Sequence, residues 1–452
     1  MQLAGLNIGI VADDMTGAND TALQFFMAGG KARVILDMDN PPKPDEKNPA
    51  NVMSLNTNSR HVDPNIAEAL VRQGVALLRD QYGVENFYKK IDSTLRGHIA
   101  HECLGFLDEL EADCVLIAPA FPQEDRRTVG GYQLINGLPV ERTSVGRDPL
   151  FPMRQSHLPT ILEQATTPAI VGYISLSVVL KGAAPILTEL SELIKAGKKL
   201  VVVDAASSED MNQIALAFEK AQKKYKVLPC GSAGFAQALT RFWLSDADGN
   251  AKASRKKPDL ETPETPILIV SGSNSKATRQ QMLQLIENYT YYGEGSNLEI
   301  FNFSADKILG LSPIENDIAR ILEALDGNNT VVVSTSLKDD SYSQTLELAK
   351  EHDFTDRQAA YKAQELLATV ARQVVRQKNV KLVLTGGETA YTTCKALDIR
   401  GLTLLDEVEP AIPLITDDKG RWIVTKSGTF GSPLALANVV KYLKQKESAI
   451  HA

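Results

Sequence analysis

Short β-branched runs alternate with longer amphipathic stretches along most of this chain, and few folds accept that alternation. Runs at 7–12, 32–36, 86–91, 114–118, 169–173, 200–204 and 225–229 read as strands. Between them, 66–81, 99–110, 184–196 and 211–220 carry apolar residues at helical spacing. Strands buried on both faces are continuously apolar, and VLIAPA and LVVVDA are of that kind. The pattern lapses over the polar segment 245–265, SDADGNAKASRKKPDLETPET, which reads as a linker. It resumes with runs at 266–270, 299–303, 330–334 and 380–385. The expected fold is therefore α/β. It comprises two Rossmann-like three-layer domains, residues 1–250 and 265–452, with mostly parallel sheets and a cleft between them.

Composition narrows the function classes. Hydrophobic residues at 43% and charged residues at 23% supply two ordinary cores and exclude a disordered chain, a collagen-like fibre and a disulfide scaffold. Lys and Arg number 48 against 56 Asp and Glu, a net charge of −8, which argues against coating nucleic acid or an anionic membrane. An anionic substrate then needs a local basic cluster. Cys103, Cys114, Cys230 and Cys394 show no CxxC spacing, so a zinc ribbon or redox dithiol is not indicated. The N-terminal MQLAGLNIGIVADDMTG lacks a basic n-region and reads as no signal peptide. No run approaches the roughly 18 apolar residues of a membrane span. The expected location is cytoplasmic.

Polar clusters stand where strands end, the place where open α/β sheets bind ligands. Asp13, Asp14, Thr16, Gly17, Asn19 and Asp20 follow the first run; a helix cap accounts for one such residue, not five. Arg60 closes NTNSR and offers a planar fork that matches a carboxylate, although a loop arginine on a solvated face is the commoner case. In KKIDSTLRG, Lys90 and Asp92 alternate across Ile91 and share a face if the strand runs that far. Residues 119–137 read as a long loop in which Arg126 and Arg127 can close over phosphate, and 146–157 adds Arg147, Asp148, Arg154 and His157.

In the second half, SGSNS, GGET and KSGTFG place small residues around Ser271–Ser275, Gly386–Thr389 and Lys426–Gly431. Singly these are ordinary turns. Three in one lobe, two of them between strand and helix, point to a nucleotide or other phosphate ligand. No GxxxxGK[ST], GxSxG or HExxH occurs, and no GxGxxG follows the first strand.

ADDMTGAND, NTNSR, KKIDSTLRG, APAFPQEDRRTVGGYQLINGLPV, SGSNS, LTGGETA and TKSGTFG, in this order, resemble the motifs of the four-carbon acid sugar kinase family. The resemblance covers nearly the whole chain. It implies ATP-dependent phosphorylation of the terminal hydroxyl of a four-carbon sugar acid, with the acid on the N-terminal domain and ATP on the C-terminal one. Asp14, Arg60, Lys90, Ile91, Asp92 and Ser93 fall on the family's acid positions. Ser271 or Ser273, then Gly386, Gly387, Glu388 and Thr389, then Gly428 or Gly431, fall on its nucleotide positions. Residues 139–159, PVERTSVGRDPLFPMRQSHLP, resemble the D-threonate or D-erythronate branch and lack the NHPLTPM-like stretch of the 3-oxo-tetronate branch. D-threonate is the first choice.

On this reading Arg60 grips the carboxylate, and Asp14 and Asp92 accept bonds from the hydroxyls. Asp92 is the preferred base, with Lys90 beside it. Mg²⁺ accompanies ATP through unidentified ligands. The expected partners are the acid and ATP, with no nucleic acid or membrane, and a homodimer is allowed. The rivals are a nicotinamide-dependent oxidoreductase, which lacks its glycine fingerprint, and a two-lobed sugar-acid-binding protein, which leaves the three phosphate-type loops unexplained.

Overall fold

A computed structural model describes residues 7–45, 49–148, 150–244, 265–292, 297–326, 329–337 and 340–444. The linker read at 245–265 lies outside the described residues, its last residue excepted. The chain divides into two compact units, Met1–Arg255 and Lys256–Ala452.

The strands of the first unit are β1 (Ile8–Ala12), β2 (Ala32–Ile35), β3 (Val52–Asn56), β4 (Asn86–Lys90), β5 (Cys114–Ala118), β6 (Arg126–Val129), β7 (Tyr132–Ile135), β8 (Leu138–Pro139), β9 (Val171–Ile174), β10 (Leu200–Val203) and β11 (Val227–Gly231). A parallel sheet runs β2-β3-β1-β4-β11-β5-β10-β9. Side chains alternate across it. Met53 and Leu55 join a core with Val71, Val75 and Leu78 of helix Pro64–Tyr82 and Phe106 of helix Ile99–Glu109. Ser54, between them, donates its hydroxyl to the Ala18 carbonyl of helix Met15–Met27 at 2.9 Å, so helices cover both faces.

Helix Pro64–Tyr82 is bounded by its own sequence: Asp63 caps the Asn65 amide, Pro64 stands at the start, and Gly83 closes the end at φ 63°. On its buried face a Cβ at Gly74 would lie 2.6 Å from Leu55 Cδ2, and the glycine lets helix and sheet approach. After β1 the chain builds β2 and β3 on one side of it, then crosses to β4 on the other. The switch point of the sheet therefore lies between β1 and β4.

The second unit contains β12 (Ile267–Ser271), β13 (Leu298–Asn302), β14 (Thr330–Ser334), β15 (Lys381–Thr385), β16 (Gly401–Glu409), β17 (Ile412–Asp417) and β18 (Trp422–Lys426), in the order β13-β14-β12-β15-β18-β17-β16. The first five in that order are parallel, and β17 is antiparallel to both its neighbours. Helices Lys276–Tyr292 and Ala435–Lys444 pack on the face carrying Ile267, Ile269, Val332 and Val383. Helix Asp356–Gln377 packs on β12 and on helix Gly387–Ala396. Here the switch point lies between β12 and β15.

The fold is the expected one, with corrections in detail. The run at 86–91 ends as a strand at Lys90, so Asp92 does not share a strand face with Lys90 and is carried by the following loop. Residues 119–137 are not one irregular loop: β6, β7 and β8 make a small antiparallel sheet. Its inward side is polar, with Thr128 Oγ1 bonded to Gln133 Oε1 at 2.7 Å. Asp204 holds its turn by accepting from the Gly130 and Gly131 amides at 2.8 and 3.0 Å. Of the two arginines read as able to close over phosphate, Arg126 is buried in this sheet and Arg127 is exposed. The runs at 169–173 and 225–229 lie two residues early, the former because Pro168–Ile170 forms a 3-10 turn. β3, the antiparallel pair β16 and β17, and β18, which leads into the third small-residue loop, were not expected.

Candidate functional site

Ala12 of β1 is paired with both Asn56 of β3 and Lys90 of β4, so three loops leave one level at the switch point. The first two are laced together: the Thr57 amide donates to the Ala12 carbonyl at 2.8 Å and the Ser59 amide to the Asp13 carbonyl at 3.1 Å. That lacing delivers Arg60, 6% exposed, onto the adjacent carboxylates. Arg60 Nε bonds Asp13 Oδ2 at 2.7 Å and Arg60 Nη1 bonds Asp14 Oδ2 at 2.8 Å. Asp14 also caps its helix, its Oδ1 accepting from the Gly17 amide at 2.8 Å, so capping and site roles coincide.

A Cβ on Gly17 would stand 2.9 Å from Lys90 Nζ, so this ammonium lies against the start of the helix. In the third loop Asp92 accepts from Arg96 Nε at 2.6 Å and Thr94 Oγ1 at 2.5 Å, and Arg96 Nη1 reaches Asp148 at 3.0 Å. Ser93 is buried, its carbonyl held by Gln133 Nε2 at 2.7 Å. The Ile91 side chain belongs to the hydrophobic core, so only its backbone faces the loop chemistry. The structure thus gathers Asp14, Arg60, Lys90, Asp92 and Ser93 at one sheet end.

The carboxylates are shifted in different directions. Burial pushes Asp92 upward, but Arg96, Arg60 and the Thr94 hydroxyl outweigh it and hold the group far below the usual carboxylate range. Asp13 is also buried, and Arg60, Lys89 and Lys90 keep it lowered. Its Oδ1 is buried without a hydrogen-bond partner among the described residues, an acceptor left for a donor from water or ligand. Asp14 goes the other way: burial and the neighbouring Asp13 and Asp92 raise it against the pull of Arg60 and Lys90. Asp20, named in the first polar cluster but not among the acid positions, is a buried carboxylate. Desolvation pushes it up to about 7 despite Lys90 and Arg126. Its place in the polar cluster after the first strand is the signal that marks it in the sequence.

In the second unit Ser271 pairs with Ser334 and Thr385, and Thr385 with Lys426, which again levels the strand ends. The loops that follow meet at van der Waals distance. A Cβ on Gly272 would lie 2.2 Å from Thr389 Oγ1, and one on Gly428 2.3 Å from Ser273 Oγ. Gly386, at φ 100°, donates its amide to the Lys426 carbonyl at 2.9 Å. Thr278 Oγ1 donates to the Gly428 carbonyl at 2.8 Å, and Ser336 Oγ to the Ser273 carbonyl at 2.9 Å.

Gly431, at φ 88°, is exposed, but a Cβ on it would lie 2.7 Å from Ala435 Cβ and 2.8 Å from Ile412 Cδ1. Glu388 stands in the first turn of its helix beside Gly387, and Thr389 is buried behind them. Lys426 is a further residue the sequence-based site omits. Buried at the end of β18, its Nζ donates to the Ser427 and Phe430 carbonyls at 2.7 and 3.1 Å. Burial lowers it to about 7, against the pull of Glu409. Three glycine-lined loops thus gather at one switch point, an arrangement of backbone that suits a phosphate chain.

Comparison with known proteins matches the chain in two parts. Residues 8–239 match the family model of a sugar-binding N-terminal domain, and 268–436 that of a nucleotide-binding C-terminal domain. The chain is 31% identical over 451 residues to the D-erythronate kinase of Heliobacterium modesticaldum, covering 98% of each. It is 30% identical over 450 residues to the D-threonate kinase of Bordetella bronchiseptica, covering 98% of this chain and 99% of that one. A solved structure from Salmonella typhimurium LT2 has the same fold, with a TM-score of 0.75 at 20% identity over 96% of this chain and 98% of the other.

Proposed function

The chain belongs to the four-carbon acid sugar kinase family, and we propose that it transfers the γ-phosphoryl group of ATP to the 4-hydroxyl of a four-carbon sugar acid, D-threonate first among them. The observation that carries this reading is Arg60 bridging Asp13 and Asp14 beside Lys90 at the β1–β4 switch point, a site built for a small hydroxylated anion. Two of the guanidinium's five N–H groups are used on the aspartates, and the others meet the carboxylate of the acid.

Asp92, held ionised, accepts a hydrogen bond from a substrate hydroxyl and is a weak proton acceptor. The proton of the 4-hydroxyl goes instead to Asp14, whose raised carboxyl suits a base; this reverses the preference drawn from the sequence. Lys90 offsets charge at the transferring group. The backbone around Ser271 and Ser273, Gly386 to Thr389, and Gly428 holds the phosphates, and Gly431 gives its loop the positive φ it needs. Mg²⁺ fits as an ion carried by the nucleotide and its waters. Among the described residues no group of three or more His, Cys, Asp or Glu is placed to cage it, and Glu388 stands at the nucleotide loops.

The 31% identity to a D-erythronate kinase favours D-erythronate as the second reading. The test is ADP release with ATP and Mg²⁺ across D-threonate, D-erythronate and their 3-oxo relatives, each enantiomer separately. Turnover with one acid identifies the substrate, whereas ATP binding without turnover on any of them moves the substrate outside the four-carbon acids.

A further inference from the structure

Beneath the acid site lies a polar network that the chemistry above does not use. Lys89 has no exposed surface and Glu102 is 1% exposed, and Lys89 Nζ bonds Glu102 Oε2 at 2.9 Å. The same ammonium donates to the Lys90 carbonyl at 2.8 Å and the Val11 carbonyl at 3.3 Å. The other oxygen of Glu102 accepts from Ser59 Oγ at 2.5 Å. Ser59 Oγ lies 2.7 Å from Thr57 Oγ1, which donates to the Ala12 carbonyl at 2.9 Å. Every bond ends on a site residue or its near neighbour: Val11 and Ala12 lead into Asp13, Ser59 precedes Arg60, and Lys90 is itself in the site.

Stability does not account for such a pair. The cost of taking two charges out of water cancels much of their attraction, and an apolar pair of similar volume often serves as well. What the pair adds is direction, because it ties the ends of β1, β3 and β4 to one helix. Burial opposes the ammonium, but Glu102 and Asp13 keep Lys89 charged, and Lys89 in turn helps keep Asp13 ionised under Arg60.

We propose that Lys89, Glu102 and Ser59 are positioning residues that set the placement of Arg60 and Lys90 and through them the affinity for the acid. This rests on reading the first unit as the acid-binding one. The test compares Glu102→Gln, Ser59→Ala and the apolar double variant Lys89→Met/Glu102→Leu in the full-length protein. Expected for the double variant is a melting temperature near or above that of the wild type. Its KM for the acid rises about tenfold, while KM for ATP stays within about twofold. Ser59→Ala gives a smaller rise of the same kind.

A second arm needs no substrate. Amide hydrogen exchange at residues 57–60 and 91–97 should quicken about tenfold in the double variant at unchanged melting temperature. A stable double variant with wild-type exchange in both loops and wild-type acid KM overturns the proposal. A wild-type protein that turns over no four-carbon acid overturns the functional reading instead, and the exchange arm then still decides the positioning claim. Should Glu102→Gln fail to fold, the double variant and Ser59→Ala carry the test.

Discussion

Arg60 holds Asp13 and Asp14 together, and in the proposed function it also meets the anionic end of the acid. Removing its charge would strand two buried carboxylates, so the informative change is Arg60→Lys, which keeps the charge and loses the planar fork. KM for the acid should rise about tenfold, roughly 1.4 kcal/mol, with KM for ATP unchanged. Steady-state kinetics in each substrate checks this, and an equal rise in both would remove Arg60 from the acid's carboxylate. Asp20 makes a second prediction. The folded protein keeps a proton on this carboxyl up to about pH 7, whereas an ordinary aspartate releases it near 3.8. A raised carboxyl contributes stability that is complete below the lower value and lost as pH rises through the upper one. Urea midpoints at about pH 5 and about pH 8 should therefore fall more in the wild type than in Asp20→Asn. Parallel falls would show that Asp20 ionises normally.

At the scale of elements, the glycine-lined loops of the second unit depend on absent side chains. Gly428→Ala would place a methyl carbon 2.3 Å from Ser273 Oγ and push two loops apart. ATP affinity measured by calorimetry should fall about tenfold or more, with acid affinity retained. Lys426→Met releases the Ser427 and Phe430 carbonyls and should likewise weaken ATP alone. Because burial holds this lysine low, wild-type stability should increase as pH rises from about 7 toward its ordinary 10.5, and the Met variant should lose that slope.

Which elements were legible follows from the same physics. CVLIA and TVVVS announce strands because both of their faces are buried. VMSLN does not, although β3 sits next to β1, because Ser54 serves a helix carbonyl and Asn56 ends the strand. The small sheet β6-β7-β8 hides Thr128 and Gln133 inside and puts Val129 and Tyr132 outside, the inverse of the usual strand pattern. Of the residues gathered at the sheet end, those clustered just after strands were legible. Glu102 was not, since its partner Ser59 lies 43 positions away and only the fold joins them.

Viewed whole, the molecule repeats one solution: a level set of strand ends at a switch point, once in each compact unit. Arg60→Lys and Gly428→Ala alter different units and share no partner, so their effects on the two binding free energies should add within about 0.5 kcal/mol in the double variant. Coupling well beyond that, measured by titrating each ligand into all four proteins, would mean that the sites communicate. The level strand ends also act as a ruler. One extra residue inside β1, β3 or β4 would advance a single wall of the acid site by about 3.3 Å and turn its side chains to the opposite face. The same residue placed ahead of Ile8, Val52 or Asn86 leaves Ala12, Asn56 and Lys90 aligned. Extra chain length is thus tolerated at the amino ends of these strands and costly at their carboxyl ends, so inserted epitopes or labels belong on the side of the sheet away from the chemistry.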